Sequence, residues 1–326
     1  MKSEQTLGLK LPVKAKPSTG SGVSMRPSDY VWCYVTITPF VIIFLALTVW
    51  PIIRTVQFSL YDFNGIGEVT KSTFVGLKNY LTVIKDHIFV QSYVNSWLFT
   101  IGQTLLKLPI SFLLAVLLTR KWLKLRGVFR TAFFLPWLMP PSIVAMVFNY
   151  LLNPSNGAIN EFLLNLHLIE APINFFNTGL SAFTTIAFIS SWQILGQYII
   201  FWMAALQSIP DELYEAASLD GASETQKMLR ITLPLIAPMA IIISLLGLTW
   251  ALGIFDWIQI MTSGGPGTQS YTVYYYVYMK AFAKMPMRYG IASAAGFLFG
   301  ITVLAVFTFN GRLINYAQRK RREYGI

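Results

Sequence analysis

Six stretches of the chain run for roughly 20 residues or more with almost no charge: Val31 to Ile53, Ser96 to Leu118, Thr131 to Leu152, Leu180 to Leu206, Leu235 to Phe255 and Tyr289 to Asn310. A hydrocarbon core about 30 Å thick is crossed by roughly 20 apolar residues in helix, so each stretch can span. None alternates as a barrel strand does, and backbone groups cannot stay open in lipid. The expected fold is an all-α membrane protein with six transmembrane helices.

The segments between the stretches set the orientation. With the amino terminus inside, 17 of the 25 Lys and Arg fall on the inner side and seven on the outer, with Lys107 inside the second stretch. Basic residues accumulate on the cytoplasmic side, so both termini are expected there. Residues 1–29, rich in Lys, Pro, Ser and Gly, read as a disordered cytoplasmic tail. They do not read as a signal peptide: the polar stretch is too long, and no small-residue cleavage pattern follows the apolar run. Residues 30–312 hold the six helices, and 313–326 form a basic cytoplasmic tail.

Composition sharpens the picture by exclusion. The chain is 55% hydrophobic and 12% charged, about half the usual charged share, which cannot wet the surface of soluble domains of this length. The net charge of +11 is accounted for by topology, so nucleic acid is not an expected partner, whereas membrane lipid is. One cysteine, Cys33, and two histidines, His87 and His167, leave no disulfide framework and no Cys/His metal site.

The segment Ser208 to Pro238, SIPDELYEAASLDGASETQKMLRITLPLIAP, is the most informative loop. Pro210 suits a first helical turn, and Asp211 and Glu212 complement a positive helix end. Asp220-Gly221 supplies a turn, and Ser223 with Gln226 gives a capping box for a second short helix that Pro234 and Pro238 are expected to limit. Leu213, Tyr214, Ala216, Ala217 and Leu219 lie on this loop with few charges to cover them, a surface that suits a protein partner.

Glu215-Ala216-Ala217, Gly221 and Ile231-Thr232-Leu233-Pro234 resemble the EAA loop of binding-protein-dependent ABC importer permeases, and the longer string LQSIPDELYEAASLDGAS resembles the carbohydrate branch. FVGLKNY (Phe74 to Tyr80), RTAFFLPWLMPP (Arg130 to Pro141), NPSNGAIN (Asn153 to Asn160) and MTSGGPGTQS (Met261 to Ser270) agree, and the likeness covers roughly residues 30–312. The chain is similar to the first permease subunit of maltose and glycerol-3-phosphate importers, without the large extra outer domain of the maltose type. The resemblance implies a type I permease in a bacterial or archaeal cytoplasmic membrane. It also implies a second homologous permease subunit, two ATPase subunits and an extracytoplasmic solute-binding protein as partners. It places Pro210, Glu215, Ala216, Ala217, Asp220, Gly221, Ile231 and Pro234 in a coupling loop that receives nucleotide-driven motion.

The chain carries no G-x-x-x-x-G-K-[ST], H-E-x-x-H or G-x-S-x-G, so no catalytic residue and no cofactor is expected on it. ATP and Mg are expected on the partner ATPases. Gly264-Gly265-Pro266-Gly267 reads as a tight turn.

Polar residues inside spans are costly and mark candidate pathways. On the fourth stretch Trp192, Gln193, Gln197, Tyr198 and Trp202 recur, with Gln193 and Gln197 on one face. Rings and amides suit sugars, and equally suit interhelical packing. Lys107 lies mid-span and Asp256 ends the fifth stretch; they could pair, or Lys107 could face a partner subunit or a water-filled cavity while Asp256 is merely interfacial. The competing function is an ion-coupled secondary transporter acting without an ATPase, with Lys107 and Asp256 as its coupling groups. Pro136, Pro140 and Pro141 predict a kinked or broken third helix. The outer segment Phe58 to Gln91 is either a dock for the binding protein or a solvated loop.

Overall fold

The computed structural model describes residues 27–120 and 123–323, with the backbone alone at 27–29, 310 and 313–323. The expected tail 1–29 thus lies almost entirely outside the described residues. The chain divides into two units, residues 1–54 and 55–326. In the first, α1 (Pro27–Phe44) continues through a π-helical turn, Leu45–Val49, into α2 (Trp50–Ser59), which crosses into the second unit. Its apolar side chains are exposed all round, as on Trp32, Phe40 and Leu47, a pattern that suits lipid.

In the second unit α3 (Lys78–Lys85) leads to α4 (His87–Thr119), then α5 (Arg126–Phe134) and α6 (Pro141–Leu151). The short α7 (Ala158–Asn165) precedes α8 (Gly179–Gln207), which matches the fourth stretch, and α9 (Asp211–Leu219) with α10 (Glu224–Lys227) forms the loop. There follow α11 (Leu233–Leu252), α12 (Asp256–Met261), α13 (Val273–Tyr278) and α14 (Tyr289–Glu323). The backbone of α14 carries helix through residues 313–323, the first part of the segment expected to be a basic tail.

Five helical segments are long and apolar enough to cross a membrane, and six if the bent pair Arg126–Leu138 and Pro141–Leu151 counts as one span. That pair is the third stretch, bent by 95°. Met139 and Pro140 each precede a proline and take extended ψ values of 138° and 135°, so the helix cannot run through them.

The loop helix departs from expectation in the other direction. Pro234 and Pro238 were expected to limit the helix that starts at Ser223, yet helical backbone continues from Glu224 to Leu252. A π turn at Met228–Thr232, closed by the Leu233 N–H on the Met228 carbonyl, widens the backbone just ahead of Pro234. Pro238 sits inside α11, buried among neighbouring helices.

The α4–α8 pair is the spine of the second unit, and both helices run in the same direction. Three apolar clusters pack on it: Phe99, Ile186, Ile258 and Tyr275 near one end, Leu118, Tyr198, Ile199 and Ile236 toward the other, and Val83, Tyr276 and Phe299 against α14.

Candidate functional site

Helix α9 is built as a free-standing element. Pro210 is its N-cap, one residue earlier than the sequence suggests, with Asp211 and Glu212 in the first turn. It stops at Gly221, φ +76°, where the Gly221 N–H bonds the Ser218 carbonyl and the Ala222 N–H bonds the Ala217 carbonyl (2.9 Å). This is a Schellman stop, which favours glycine at the left-handed position. The Ser223–Gln226 capping box then forms as expected.

No residue of α9 is fully buried. Glu215, Ala216 and Asp220 are exposed, Ala217 is half-buried, and Glu215 makes no hydrogen bond or ion pair among the described residues. One side chain holds the helix to the bundle: the Tyr214 hydroxyl pairs with Thr232 Oγ1 at 2.9 Å, beside Ile231 in the π turn and two residues before Pro234. At the far side of the loop Arg120, at the end of α4, donates to Glu224 at 2.5 Å, and Lys227 donates to the same carboxylate. Neither tie has a local sequence signature, since both join residues far apart in the chain.

The intramembrane candidates separate into two groups. Lys107 is fully buried at the junction of α4, α8 and α11. Its ammonium donates to the Gly247 carbonyl at 2.9 Å and to Gln103 Oε1 at 3.2 Å, and lies 5.0 Å from the centre of the Tyr198 ring. Gln103 in turn donates to Ser190 at 2.7 Å. Gly247 leaves room for this: a Cβ there would stand 3.3 Å from Lys107 Cε. A glycine inside an apolar helix was the one readable cue to the contact.

Lys107 does not pair with Asp256. Asp256 is exposed and opens α12 rather than ending the fifth stretch, because the helix breaks at Gly253–Phe255. A buried ammonium satisfied by a backbone carbonyl, a side-chain amide oxygen and a ring face needs no carboxylate. The ion-coupling pair on which a secondary transporter would rely is therefore not formed.

Gln193 and Trp202 are largely consumed by packing. Gln193 is buried and donates to the Met139 carbonyl at 3.0 Å, at the proline break, while Trp202 donates to Ser111 at 3.1 Å. Trp192 stays partly exposed, edge-on to Phe148. Gln197 is half-buried, and its side-chain oxygen, like the Tyr198 hydroxyl, finds no hydrogen-bond partner among the described residues. Tyr198 is fully buried, so Gln197 and Trp192 are the members of the set with accessible groups left to offer.

The opposite end of the bundle is closed by its own polar groups. Asn79 donates to the Ser59 and Tyr61 carbonyls, and Asn95 to those of Gln269 and Tyr271. Gln269 Oε1 accepts from the Gly179 N–H at 2.8 Å. The Gly264–Gly267 stretch is a turn, with φ +81° at Gly264 and +60° at Gly267. Asp86 caps α4 and accepts from Tyr276 at 2.7 Å and Lys280 at 3.1 Å, so it is not available to a docking partner. Burial pushes its carboxyl up, but the hydrogen bonds from Tyr276 and Lys280 and the Lys280 charge outweigh this and hold it below the ordinary 3.8. Among the described residues no three His, Cys, Asp or Glu side chains come close enough to hold a metal ion.

Membrane-crossing helices around a buried polar seam, with an exposed loop at one end, define an all-helical multi-pass membrane protein of the permease class. The chain belongs to the family described as binding-protein-dependent transport system inner membrane component, whose pattern matches residues 107–324. It is a multi-pass inner-membrane permease, the transport subunit of an ABC system rather than an enzyme.

Among its relatives is the probable ABC transporter permease protein YurN of Bacillus subtilis (strain 168), 33% identical over 78% of this chain and 86% of that one. The trehalose/maltose transport system permease protein MalF of Thermococcus litoralis is 33% identical over 83% of this chain and 90% of its own. Among solved structures, a bacterial ABC transporter involved in import of the acidic polysaccharide alginate superposes with a TM-score of 0.77. The two share 26% identity, over 89% of this chain and 96% of that one. A second structure shows a bacterial alginate ABC transporter with an alginate pentasaccharide-bound periplasmic protein; it gives a TM-score of 0.75, with 26% identity over 88% of this chain and 94% of that one.

Proposed function

We propose that this chain is one of two homologous type I permease subunits of a carbohydrate importer. Six spans are then made up by counting the bent pair as one, with both termini in the cytoplasm. A cytoplasmic tail at 1–29, the permease domain at 30–312 and a basic segment at 313–326 complete the plan. Two separate ATPase subunits bind ATP and Mg, and an extracytoplasmic binding protein delivers the solute. The trehalose/maltose and alginate proteins among its relatives support a carbohydrate as cargo.

The observation that carries the reading is α9: a short helix stopped by Gly221, exposed, with Glu215 unpaired among the described residues and Ala216 and Ala217 offering little bulk. An alanine-lined helix lets a partner's backbone approach closely, and a free carboxylate can meet a basic group on it. Motion imposed on α9 reaches the bundle through Tyr214 to Thr232 and on along the continuous backbone of α11, through Pro234, to Gly247 and Lys107. Alternating access then follows from displacing α11 against α4 and α8. Gln197 and Trp192 are the side chains proposed to meet the passing solute, by an amide and a ring face.

The test is reconstitution of the whole importer, with ATP hydrolysis and uptake measured together. Glu215→Lys and Gly221→Pro should each cut solute uptake at least tenfold while membrane insertion and basal ATP hydrolysis persist. Full uptake by both variants, or uptake by this polypeptide without an ATPase, would overturn the reading.

A further inference from the structure

A cleft of about 970 Å³ opens between the end of α4, the start of α5 and the foot of α9. Four basic side chains line it, Arg120, Arg126, Arg130 and Lys227, against two acids, Asp211 and Glu224. Glu224 is already engaged by Arg120 and Lys227. Arg126 makes no hydrogen bond or ion pair among the described residues, and Arg130 makes one long bond, 3.4 Å to the Leu118 carbonyl. The two stand four residues apart on α5 and so share a face, presenting two guanidinium forks to one space.

We propose that this cleft binds the phosphate group of an anionic membrane lipid, held by Arg126 and Arg130. Guanidinium forks match phosphate oxygens in a bidentate geometry that a lysine cannot reproduce. A lipid rather than a soluble anion is favoured by the rest of the lining: Val116, Leu206, Ile209 and Met228 give the cleft an apolar wall beside the charges. The cleft also lies where the long apolar helices α4 and α8 end, the depth at which headgroups sit. Asp211 on the lining limits the positive excess, which suits a singly charged phosphodiester over a polyphosphate. Because Pro210 and Tyr214 line the same cleft, an occupying lipid braces the foot of α9. The site is independent of the coupling assignment and is read by binding alone.

The experiment uses the purified full chain in phosphatidylcholine nanodiscs with and without phosphatidylglycerol, reading retained lipid by native mass spectrometry. The wild type should keep phosphatidylglycerol, and Arg126→Gln with Arg130→Gln should lower retention about tenfold, worth ~1.4 kcal/mol. Lys124→Gln, on the same corner but outside the cleft lining, should change nothing. Equal retention by the double variant, or an equal loss in Lys124→Gln, would refute a defined site. Inorganic phosphate that displaces the lipid at millimolar concentration would reassign the cleft to a soluble anion. A photoreactive phosphatidylglycerol, used on the unmodified chain, should label peptides within 116–130 and 206–228; labelling confined elsewhere would also overturn the proposal.

Discussion

At the end of the second unit that carries Asn79, Asp86 and Gly290, the chain satisfies its own polar groups; at the end that carries α9 it leaves them open. The first end is tied by Asn79, Asn95, Gln269 and Asp86, each bonding across tens or hundreds of residues of sequence. The second has a half-buried anchor, Tyr214 on Thr232, and an exposed clasp at Glu224, while Glu215, Leu213 and Leu219 face outward. Buried hydrogen bonds over long loops fix a shape. Exposed apolar and charged groups on a short helix stopped at Gly221 fix nothing within the described chain, and gain their stabilisation only when a partner covers them. The contrast separates a region that keeps itself closed from one that leaves its surface open to the partner proposed above.

The sharpest way to break that contrast is to crowd the closed end. A Cβ on Gly290 would overlap the Tyr61 carbonyl oxygen and press on the Asn79 amide, both part of the Asn79 tie. Backbone cannot yield as a side-chain tip can, so Gly290→Ala should cost about 1–3 kcal/mol. Thermal unfolding of the purified full chain in detergent measures it. Gly221→Ala at the open end meets nothing within 4 Å and carries only the left-handed φ penalty, about 1–2 kcal/mol local to the loop. It should leave the main unfolding transition in place, whereas an equal drop for both glycines would erase the difference between the ends.

A smaller effect concerns charge. Asp86→Asn weakens the bonds from Tyr276 and Lys280; with side chains 21% and 25% exposed in the ion pair, solvent screening limits the loss to about 1–2 kcal/mol. The sign with pH follows from a carboxyl held below 3.8. Its contribution is fully present above the unfolded value and is lost as pH falls through the lower folded value. The wild-type unfolding temperature should therefore fall below about pH 4 more steeply than that of Asp86→Asn, and parallel curves would remove Asp86 from the closed end.

Much of this molecule is readable in its sequence because lipid enforces a simple rule: a helix long enough to cross must be apolar along its length. The stretch Leu180 to Leu206 reappears as Gly179–Gln207 almost residue for residue. Capping chemistry is equally local, so the turn at Gly221 and the Ser223–Gln226 box were legible. Proline was not. Its effect depends on what surrounds it: Pro140 and Pro141 break a helix by 95°, while Pro234 and Pro238 sit in one that continues, with a π turn at Met228–Thr232 just ahead of Pro234 and Pro238 buried among neighbouring helices. The partner of Lys107 was hidden for a related reason. Residue types offered a carboxylate only as one alternative among several, and the structure supplies the Gly247 carbonyl, a backbone group with no signature of its own.

The smallest expected effect on stability is the most telling about the open end. Leu219 closes α9 with 90% of its surface exposed, and nothing among the described residues covers it. Leu219→Ser should therefore move the unfolding transition by no more than about 0.5 kcal/mol, within the range of neutral surface changes. If an ATPase subunit buries this side chain, the same substitution forfeits about 1.5–3 kcal/mol of apolar burial in the complex. Association measured by titrating the purified ATPase against the reconstituted permease should then weaken about tenfold or more. Stability and association are read on one variant, and they must diverge. A loss of more than 1 kcal/mol in the isolated chain would mean that Leu219 is already covered by its own bundle, and unchanged association would mean that the partner sits elsewhere.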